Sequence, residues 1–358
     1  MTRPTRHVLS RSRAVVVVLA ALSLAAACTS NSPKKTNDST GSKSGSCPYT
    51  FAVITHGDNG TFWSVVYKGA KDAAKDYGCK VNSPYGSQQQ GQANPDDNAE
   101  NAQIQSAINN KVDGIAVSDH DPNLMNPTLK KATAAGIPVV LLNAGCDDTD
   151  IAASGAITCV GQPEQLAGQK SGERFKSEGK TNVLCVVHQS GQNLLDRCNG
   201  LAQGLGAGNT CSHASAPSSG THCTELILST PNAASNPQQA VGQVTAYLQS
   251  HTGVNAVLTL NNAIADSLIS AHPANVKIAT FDLSSQMETA LKASPPTLDF
   301  AIDQQQYLQG YLPISFLYLY KKHEGNSVGG GTTVASGPLV VDSTNIAKVS
   351  GAIAAGDD

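Results

Sequence analysis

Residues 49–77 read YTFAVITHGDNGTFWSVVYKGAKDAAKDY, and their pattern predicts a strand, a loop and a helix in succession. The apolar run Phe51–Ile54 has the length and composition of a buried strand. A polar, turn-forming loop follows at His56–Gly60, and then an amphipathic segment with apolar side chains at helical spacing, ended by Gly78. A strand, a loop and a helix in this order form half of a βαβ unit.

The loop and the start of this helix carry the first candidate binding residues. In an open α/β sheet, ligands bind beyond the carboxyl ends of the strands, which is where Asp58, Asn59, Phe62 and Trp63 are expected. Trp63 is the only tryptophan of the chain. Two interpretations of the aromatic pair stay open: it forms a stacking surface for a ring with an apolar face, such as a sugar, or it fastens the helix onto the sheet.

Strands and helices alternate along the rest of the chain, which at 358 residues is long enough for two domains. Further strands are predicted at residues 79–83, 112–117, 138–142, 156–160, 183–187, 224–229, 256–260, 276–281, 300–302 and 338–341. Helices are predicted from Asn94-Pro95 onward, with Ala102, Ile104, Ala107 and Ile108 facing inward, and at about residues 122–135, 163–175, 194–205, 237–249 and 307–320. Polar residues follow most strands. The pattern predicts an α/β fold of two doubly wound parallel-sheet lobes joined by a hinge, with the ligand between the lobes.

The N-terminus has the pattern of an exported bacterial lipoprotein. Four arginines precede the apolar run Ala14–Ala27, which is too short for a permanent membrane anchor and is typical of a secretory signal peptide at residues 1–27. The sequence Ala25-Ala26-Ala27-Cys28 resembles a lipobox, although Ala25 stands where leucine is commonest, and this implies a lipid on the Cys28 sulfur. The alternative is ordinary cleavage with Cys28 incidental. Residues 28–46 lack large apolar side chains and are predicted to be a flexible tether.

Charge and cysteine content exclude two classes of function. The formal net charge is −3, and removal of the signal peptide takes away four arginines and no acidic residue, so there is no basic face for nucleic acid. Nine cysteines occur, and eight remain if Cys28 carries lipid. An even number in an exported chain indicates disulfides. No Cys-x-x-Cys pair occurs and the histidines are not grouped with the cysteines, so no metal site is predicted.

The positions of the cysteines suggest four disulfides. Cys47 and Cys79 precede two strands that should be neighbours, and Cys146–Cys159 would close the loop after the fourth strand. Cys211–Cys223 would close a Ser/Gly/Ala-rich excursion, which leaves Cys185–Cys198 by elimination. The sequence does not prove this connectivity.

Several segments together resemble a known family. They are DNGTFWSVVYKGAKDAAKDYG, VDGIAVSDHD, GIPVVLLNAG, LLDRCNGL, VNAVLTLNN, IATFDL and AIDQQQYLQG. In order and spacing, from about Tyr49 to Val341, they are similar to the periplasmic sugar-binding proteins that include ribose-binding protein. This resemblance implies a type I clamshell fold and an exported, non-enzymatic protein that delivers a sugar to the permease and ATPase subunits of an ABC importer.

The resemblance also implies a set of ligand-binding residues. Phe62 and Trp63 match the aromatic pair that stacks on the sugar ring, and Asn59 or Asp58 matches the polar residue before it. Ser118, with Asp119 beside it, and Asn143 fall at polar strand ends, although the family often has an acid followed by arginine where Asn143 and Ala144 stand. Arg197, Asn261, Asp282 and Gln304 match hydroxyl-binding residues of the family. The second aromatic of the family's sandwich has no clear counterpart.

Hydrogen-bonding chemistry supports this set independently. Sugar hydroxyls both donate and accept, so carboxylates, amides and arginine satisfy them, and charged partners give the stronger bonds. Each residue also has an ordinary structural interpretation: Asp282 and Asn261 would cap the following helices, and Arg197 would form a surface ion pair.

The predicted lobes are residues 47–160 plus 304–336 and residues 161–303 plus 337–358, with hinge crossings near residues 160–161, 303–304 and 337. We expect a monomer without cofactor or metal, lipid-anchored at the outer face of the bacterial cytoplasmic membrane, that binds a monosaccharide or polyol. A surface sugar sensor without transport is the main alternative. A secreted enzyme is a weaker one, because the sequence has no Gly-x-Ser-x-Gly elbow, Walker loop or His-Glu-x-x-His motif.

Overall fold

The computed structural model describes residues 47–57, 60–82, 86, 95–230, 233–323 and 329–358. In this part of the chain, two six-stranded sheets alternate with helices. The predictions for the signal peptide, the tether, Cys28, Asp58 and Asn59 lie outside the described residues. No helix of the described part is long and apolar enough to cross a membrane.

All neighbouring strands of the first sheet are parallel. Its strands are β1 (Thr50–Ile54), β2 (Lys80–Asn82), β3 (Gly114–Val117), β4 (Val139–Leu142), β5 (Cys159–Gly161) and β11 (Thr333–Ala335). They lie in the order β11-β5-β4-β3-β1-β2, so the direction of winding reverses beside β1. Such a reversal opens a crevice at the carboxyl ends of the strands.

The second sheet repeats this arrangement with one antiparallel strand at its edge. Its strands are β6 (Asn182–Val187), β7 (His222–Ile227), β8 (Ala256–Thr259), β9 (Lys277–Phe281), β10 (Phe300–Asp303) and β12 (Leu339–Asp342). They lie in the order β12-β10-β9-β8-β6-β7, and β12 runs antiparallel to β10.

All helices but the last lie between successive strands, and the last follows β12 after a short 3₁₀ helix (Ile346–Lys348). They are α1 (Thr61–Tyr77), α2 (Asp97–Asn109), α3 (Pro122–Ala134), α4 (Asp148–Ser154), α5 (Glu164–Ser177), α6 (Gln192–Leu205), α7 (Pro237–Ser250), α8 (Asn262–Ala271), α9 (Ser285–Lys292), α10 (Gln306–Lys322) and α11 (Ser350–Ala355). We call each sheet with the helices packed on it a lobe.

Both faces of each sheet are buried, which is why the strands are apolar without alternation. In β1, Phe51 and Val53 pack with residues of α1 and α10, whereas Ala52 and Ile54 pack with residues of α2 and α3. The second sheet likewise separates two apolar clusters. The predicted fold class, two doubly wound α/β lobes, is confirmed.

Several local predictions were wrong. Helix α2 begins at Asp97, not at Asn94-Pro95, because the side chain of Asp96 caps it by accepting the Ala99 N–H at 2.9 Å. Ala102 is exposed, because Glu100, four residues before Ile104, takes the inward position on the helix. The strand predicted from residue 156 begins at 159, since α4 and its cap at Gly155 occupy the preceding segment.

The chain crosses between the lobes three times. The segment after β5 leads into α5, which packs on α6 of the second lobe, and the segment after β10 leads into α10, which packs on α1 of the first. The third crossing joins β11 to β12. The crossings are hydrogen-bonded to one another: Ser336 Oγ donates to the Gln304 carbonyl at 2.9 Å, and Gln309 Nε2 donates to the same carbonyl at 3.1 Å.

The four predicted disulfides are present. They are Cys47–Cys79, Cys146–Cys159, Cys185–Cys198 and Cys211–Cys223. Cys185–Cys198 ties β6 to α6 at the residue next to Arg197. Each disulfide therefore joins two segments of the same lobe.

Candidate ligand-binding cleft

The carboxyl ends of the strands of both lobes open onto one cleft. Of the predicted site residues, those that line it are Phe62, Trp63, Asn143, Arg197, Asn261, Asp282 and Gln304. They come from four strand ends and from two helices, α1 and α6, that are distant in sequence. The fold thus brings together groups that sequence spacing alone does not relate.

The aromatic pair lies in the first turn of α1. Trp63 is 7% exposed and belongs to the apolar cluster between the sheet and α1, whereas Phe62 is half-buried. The rings meet edge to face, with centroids 5.0 Å apart. Gly57 makes room for the indole, because a Cβ there would lie 1.9 Å from its Nε1. Trp63 therefore fastens the helix onto the sheet, as the second interpretation predicted, and it also lines the cleft; stacking on a sugar stays a prediction.

Arg197 is the charged centre of the second lobe. It is 3% exposed, and its Nε and Nη2 donate to the two carboxylate oxygens of Glu164 at 2.7 and 2.8 Å. Its guanidinium carbon lies 4.4 Å from the centroid of the Phe281 ring. Nη2 also donates to Gln304 Oε1 at 2.8 Å. A buried arginine in a bidentate pair is held in one orientation and carries little uncompensated charge, which rules out the predicted alternative of a surface ion pair.

Close helix packing brings Arg197 and Glu164 together. Helices α5 and α6 touch through glycines: a Cβ on Gly168 would lie 2.0 Å from the Arg197 carbonyl oxygen, and one on Gly200 would lie 2.0 Å from the Gln165 carbonyl oxygen. The two backbones can approach this closely only because these positions have no side chain. Glu164, at the start of α5, is thereby placed beside Arg197 in α6.

Asp282 follows β9 in a left-handed conformation, with φ of +72°. Its Oδ1 accepts from Gln304 Nε2 at 2.6 Å and from Gln306 Nε2 at 3.4 Å. Burial raises the pKa of its carboxyl to about 7, although the Arg197 charge acts in the opposite direction. Asp282 does not cap the next helix, since Ser284 does so by accepting the Met287 N–H at 3.2 Å.

The two asparagines that line the cleft also have structural partners. Asn143 adopts φ of +61° after β4 and donates from Nδ2 to Gln309 Oε1 at 3.0 Å. Asn261 caps α8, with Oδ1 accepting from the backbone N–H of Ala263 at 2.9 Å. The predicted capping role of Asn261 is thus confirmed, and its side chain nevertheless lines the cleft.

Ser118 and Asp119 are fully buried behind the cleft and do not line it. Ser118 contacts the cleft only through His56, to which it is hydrogen-bonded. Asp119 lies against Gly145, and its two carboxylate oxygens have no hydrogen-bond partner among the described residues. Burial raises the pKa of the Asp119 carboxyl to about 7.

Sequence reasoning missed two histidines that line the cleft, His56 and His188. His56 lies two residues after β1, and His188 lies one residue after β6; these are the first strands of the two lobes. A polar residue just after a strand is the sequence signal from which both could have been predicted. Burial and the Arg197 charge lower the pKa of His188 to about 3, so the ring is neutral at physiological pH. Its Nδ1 is buried without a hydrogen-bond partner in the described part of the chain.

Direct contacts join the lobes beside the cleft. His120 Nε2, from the first lobe, lies 3.2 Å from the Ser190 carbonyl oxygen of the second, and Lys68 of α1 forms an ion pair with Asp357. The described residues contain no group of three or more His, Cys, Asp or Glu side chains that would hold a metal ion. The cleft combines an apolar aromatic surface with amide and imidazole groups, the charge-compensated Arg197 and the Asp282 carboxyl.

The sequence matches the family model described as the periplasmic binding protein domain over residues 51–325. This match spans most of the chain, and the chain belongs to that family. The predicted resemblance to the periplasmic sugar-binding proteins is therefore confirmed. The family and the proteins similar to this chain are solute-binding proteins and not enzymes, as the sequence predicted.

Solved structures and one curated protein are similar to this chain. A carbohydrate transporter from Acidothermus cellulolyticus 11B, in complex with myo-inositol, is 35% identical, with 87% of this chain and 99% of that chain covered and a TM-score of 0.73. An ABC transporter solute-binding protein from Burkholderia graminis C4D1M, in complex with D-arabinose, is 20% identical, with 84% and 97% covered and a TM-score of 0.67, which supports the fold alone. The xylose/arabinose-binding protein XylF of Sulfolobus acidocaldarius is 26% identical over 233 residues, or 61% of this chain. This chain spans about half, 54%, of the length of that relative.

Proposed function

We propose that this chain is an extracytoplasmic solute-binding lipoprotein that captures one neutral monosaccharide or polyol between its lobes. It delivers the ligand, as a monomer, to the permease and ATPase subunits of an ABC importer. The lobes comprise residues 47–160 plus 304–336 and residues 161–303 plus 337–358, and they close about the three crossings. Cys28 carries the lipid that holds the protein at the outer face of the cytoplasmic membrane.

The observation that carries this proposal is the composition of the cleft. An aromatic pair from one lobe and a buried, charge-compensated network from the other line the same space. A polyol has C–H groups on its faces and hydroxyls at its rim, and these complement the two surfaces. Arg197 is already neutralised by Glu164, which favours a neutral ligand over a sugar acid or a phosphate.

The proposed contacts follow from this arrangement. Phe62 and Trp63 stack on the face of the ligand, while Asn143, Arg197, Asn261, Asp282 and Gln304 bind its hydroxyl groups. Asp58 and Asn59 remain predicted contacts of the same loop, Ser118 acts through His56, and Asp119 supports the end of β3. The myo-inositol in the Acidothermus structure and the pentoses in the name of the Sulfolobus relative make these the first ligands to test.

Calorimetry of the mature protein tests the ligand class. We expect saturable binding with one site per monomer for at least one of myo-inositol, D-xylose, L-arabinose, D-arabinose, D-ribose and D-glucose. The same ligand should raise the Tm, because a ligand that binds only the folded state stabilises it by mass action. Binding of an amino acid or peptide with no response to any polyol or sugar would refute the proposal.

Membrane fractionation tests the anchor. In a bacterial host with lipoprotein processing, we expect the full chain in the membrane fraction. We expect no lipidated product of the Cys28→Ala variant in that fraction. Mass spectrometry of the mature N-terminus distinguishes a diacylglyceryl cysteine from an unmodified one. An unmodified Cys28, or cleavage at another position, would refute the lipid anchor and leave only the proposal that the protein is secreted.

A further inference from the structure

His56 is a histidine of the cleft to which the proposed function assigns no ligand contact of its own. It lies two residues after β1, lines the cleft and is 2% exposed. Its ring meets the indole of Trp63 edge to face, with centroids 4.9 Å apart. The ring is therefore held beside the aromatic surface on which a ligand would stack.

A buried hydrogen-bond chain holds His56 from behind. The Oγ of Ser118 lies 2.8 Å from both the backbone nitrogen and the Nδ1 of His56, and it donates to Glu100 Oε1 at 3.3 Å. Ser118 and Glu100 are fully buried, and neither lines the cleft. Because Nδ1 is directed into the lobe, the opposite edge of the ring, which carries Nε2, is the part left to face the cleft.

The hydroxyl of Ser118 links the tautomer of this histidine to the ionisation of Glu100. A serine hydroxyl has one proton to donate and two lone pairs to accept. With Glu100 ionised, Ser118 donates its proton to Glu100 and accepts the backbone N–H of His56, so its remaining lone pair accepts Nδ1–H. Burial and the Asp119 charge raise the pKa of Glu100 well above its usual value, and a protonated Glu100 would reverse this chain and leave the proton of His56 on Nε2. Burial and the neighbouring His120 lower the pKa of His56 well below its usual value, so the ring has a single proton, and Nε2 is an acceptor in the arrangement with ionised Glu100.

We propose that His56 is a ligand-binding residue whose Nε2 accepts a hydrogen bond from one hydroxyl group of the ligand, and that Ser118 and Glu100 are positioning residues that set this tautomer. This inference rests on the proposed function and sharpens its substrate class: the ligand presents a free hydroxyl to His56. An ether at that position has no proton to donate, so an O-methylated polyol loses this hydrogen bond in addition to the steric cost of its methyl group. A site built to meet a hydroxyl also rejects the corresponding deoxy analogue.

Calorimetry with myo-inositol, its mono-O-methyl ethers and the hexose and pentose panel tests the selectivity. The variants are His56→Phe, which keeps a ring and removes Nε2, and His323→Phe, a control at an exposed histidine after α10. Loss of one neutral hydrogen bond is expected to weaken binding by His56→Phe about 10-fold. The variant is also expected to lose the preference for the free hydroxyl over the corresponding ether, whereas His323→Phe is expected to retain the wild-type affinity within two-fold.

Imidazole ¹⁵N spectroscopy of the wild-type protein tests the tautomer without a variant of the site. We expect a protonated Nδ1 and an unprotonated Nε2 at His56, with the Nε2 resonance shifted by ligand, and loss of this fixed tautomer in Ser118→Ala. If wild type binds none of the panel, the proposed function and this inference both fail. If wild type binds but His56→Phe retains its affinity and selectivity, or if Nε2 carries the proton, the inference alone fails.

Discussion

Removal of the charge on Glu164 should separate a buried structural ion pair from an exposed one. In Glu164→Gln, the Arg197 guanidinium keeps Gln304 as a neutral partner but loses its bidentate carboxylate. Arg197 is 3% exposed, so water cannot replace the lost partner. Breaking a buried pair by removing one member costs about 3–5 kcal/mol, and we expect about 3 kcal/mol because glutamine retains one acceptor oxygen.

This free energy corresponds to a decrease in Tm of about 6–12 °C, on the scale of 2–4 °C per kcal/mol for domains of about 150–250 residues. Circular dichroism at 222 nm during heating measures it. The matched control is Glu288→Gln, which removes a carboxylate from an i,i+4 pair with Lys292, whose side chain is 49% exposed. Such pairs contribute about 0.3–0.5 kcal/mol, so the control is expected to change the Tm by about 2 °C or less.

Ligand binding gives a second readout of the same variant. Because Arg197 lines the cleft, its uncompensated charge in Glu164→Gln is expected to weaken binding of a neutral polyol relative to that of a uronic acid. The double variant Glu164→Leu/Arg197→Met should recover part of the lost stability, since neither member of the pair then leaves an unpaired charge buried. A decrease in Tm no larger than that of Glu288→Gln would show that water screens the pair in solution, and would refute this reasoning.

Three further perturbations test other parts of the cleft. Trp63→Ala should lower the free energy of unfolding by about 3 kcal/mol or more and also weaken ligand binding. Phe62→Ala, at a half-buried position, should affect mainly ligand binding. Thermal unfolding and calorimetry distinguish the two effects, and equal losses of stability would contradict the different roles of the two rings. Burial raises the pKa of Asp282 in the folded state to about 7, so its contribution to stability is present below the unfolded pKa and is lost as the pH rises to about 7. The variant Asp282→Asn should therefore show a shallower fall in Tm between pH 4 and pH 7 than wild type. An unchanged Tm profile would argue against this raised pKa. Gly200→Ala should force α5 and α6 apart and weaken both stability, by about 1–3 kcal/mol, and ligand affinity, whereas Gly242→Ala, with no atom within 4 Å of the added Cβ, should do neither.

The fold and several cleft residues follow from the sequence because both depend on local patterns. Apolar runs of strand length ending in polar residues identify Asn143, Asn261 and Asp282, and parallel strands deliver such residues to the same edge of a sheet. Gln304 follows β10 in the same way. These predictions required no knowledge of how the lobes are oriented.

The residues that were missed depend on contacts between distant elements. Glu164 is 33 positions from Arg197, and the pair exists only because glycines let α5 and α6 pack backbone to backbone. Ser118 was expected in the cleft, but the ring of His56 covers it. A strand end predicts which edge of the sheet a residue reaches, and it does not predict which side chain lies in front.

Gln304 connects the proposed ligand contacts to the crossings between the lobes. It lies in the crossing after β10, where its backbone carbonyl accepts hydrogen bonds from Ser336 of another crossing and from Gln309 of α10. Its side chain accepts from Arg197 at 2.8 Å and donates to Asp282 at 2.6 Å. In the proposed closure, rotation of the lobes about the crossings would change backbone dihedral angles in this segment, and Gln304 would not move without altering its hydrogen bonds to Arg197 and Asp282. A ligand that bonds to those residues, as we propose, would therefore have different affinities for an open and a closed arrangement. That difference in affinity sets the free energy by which the ligand would shift the lobes from one arrangement to the other.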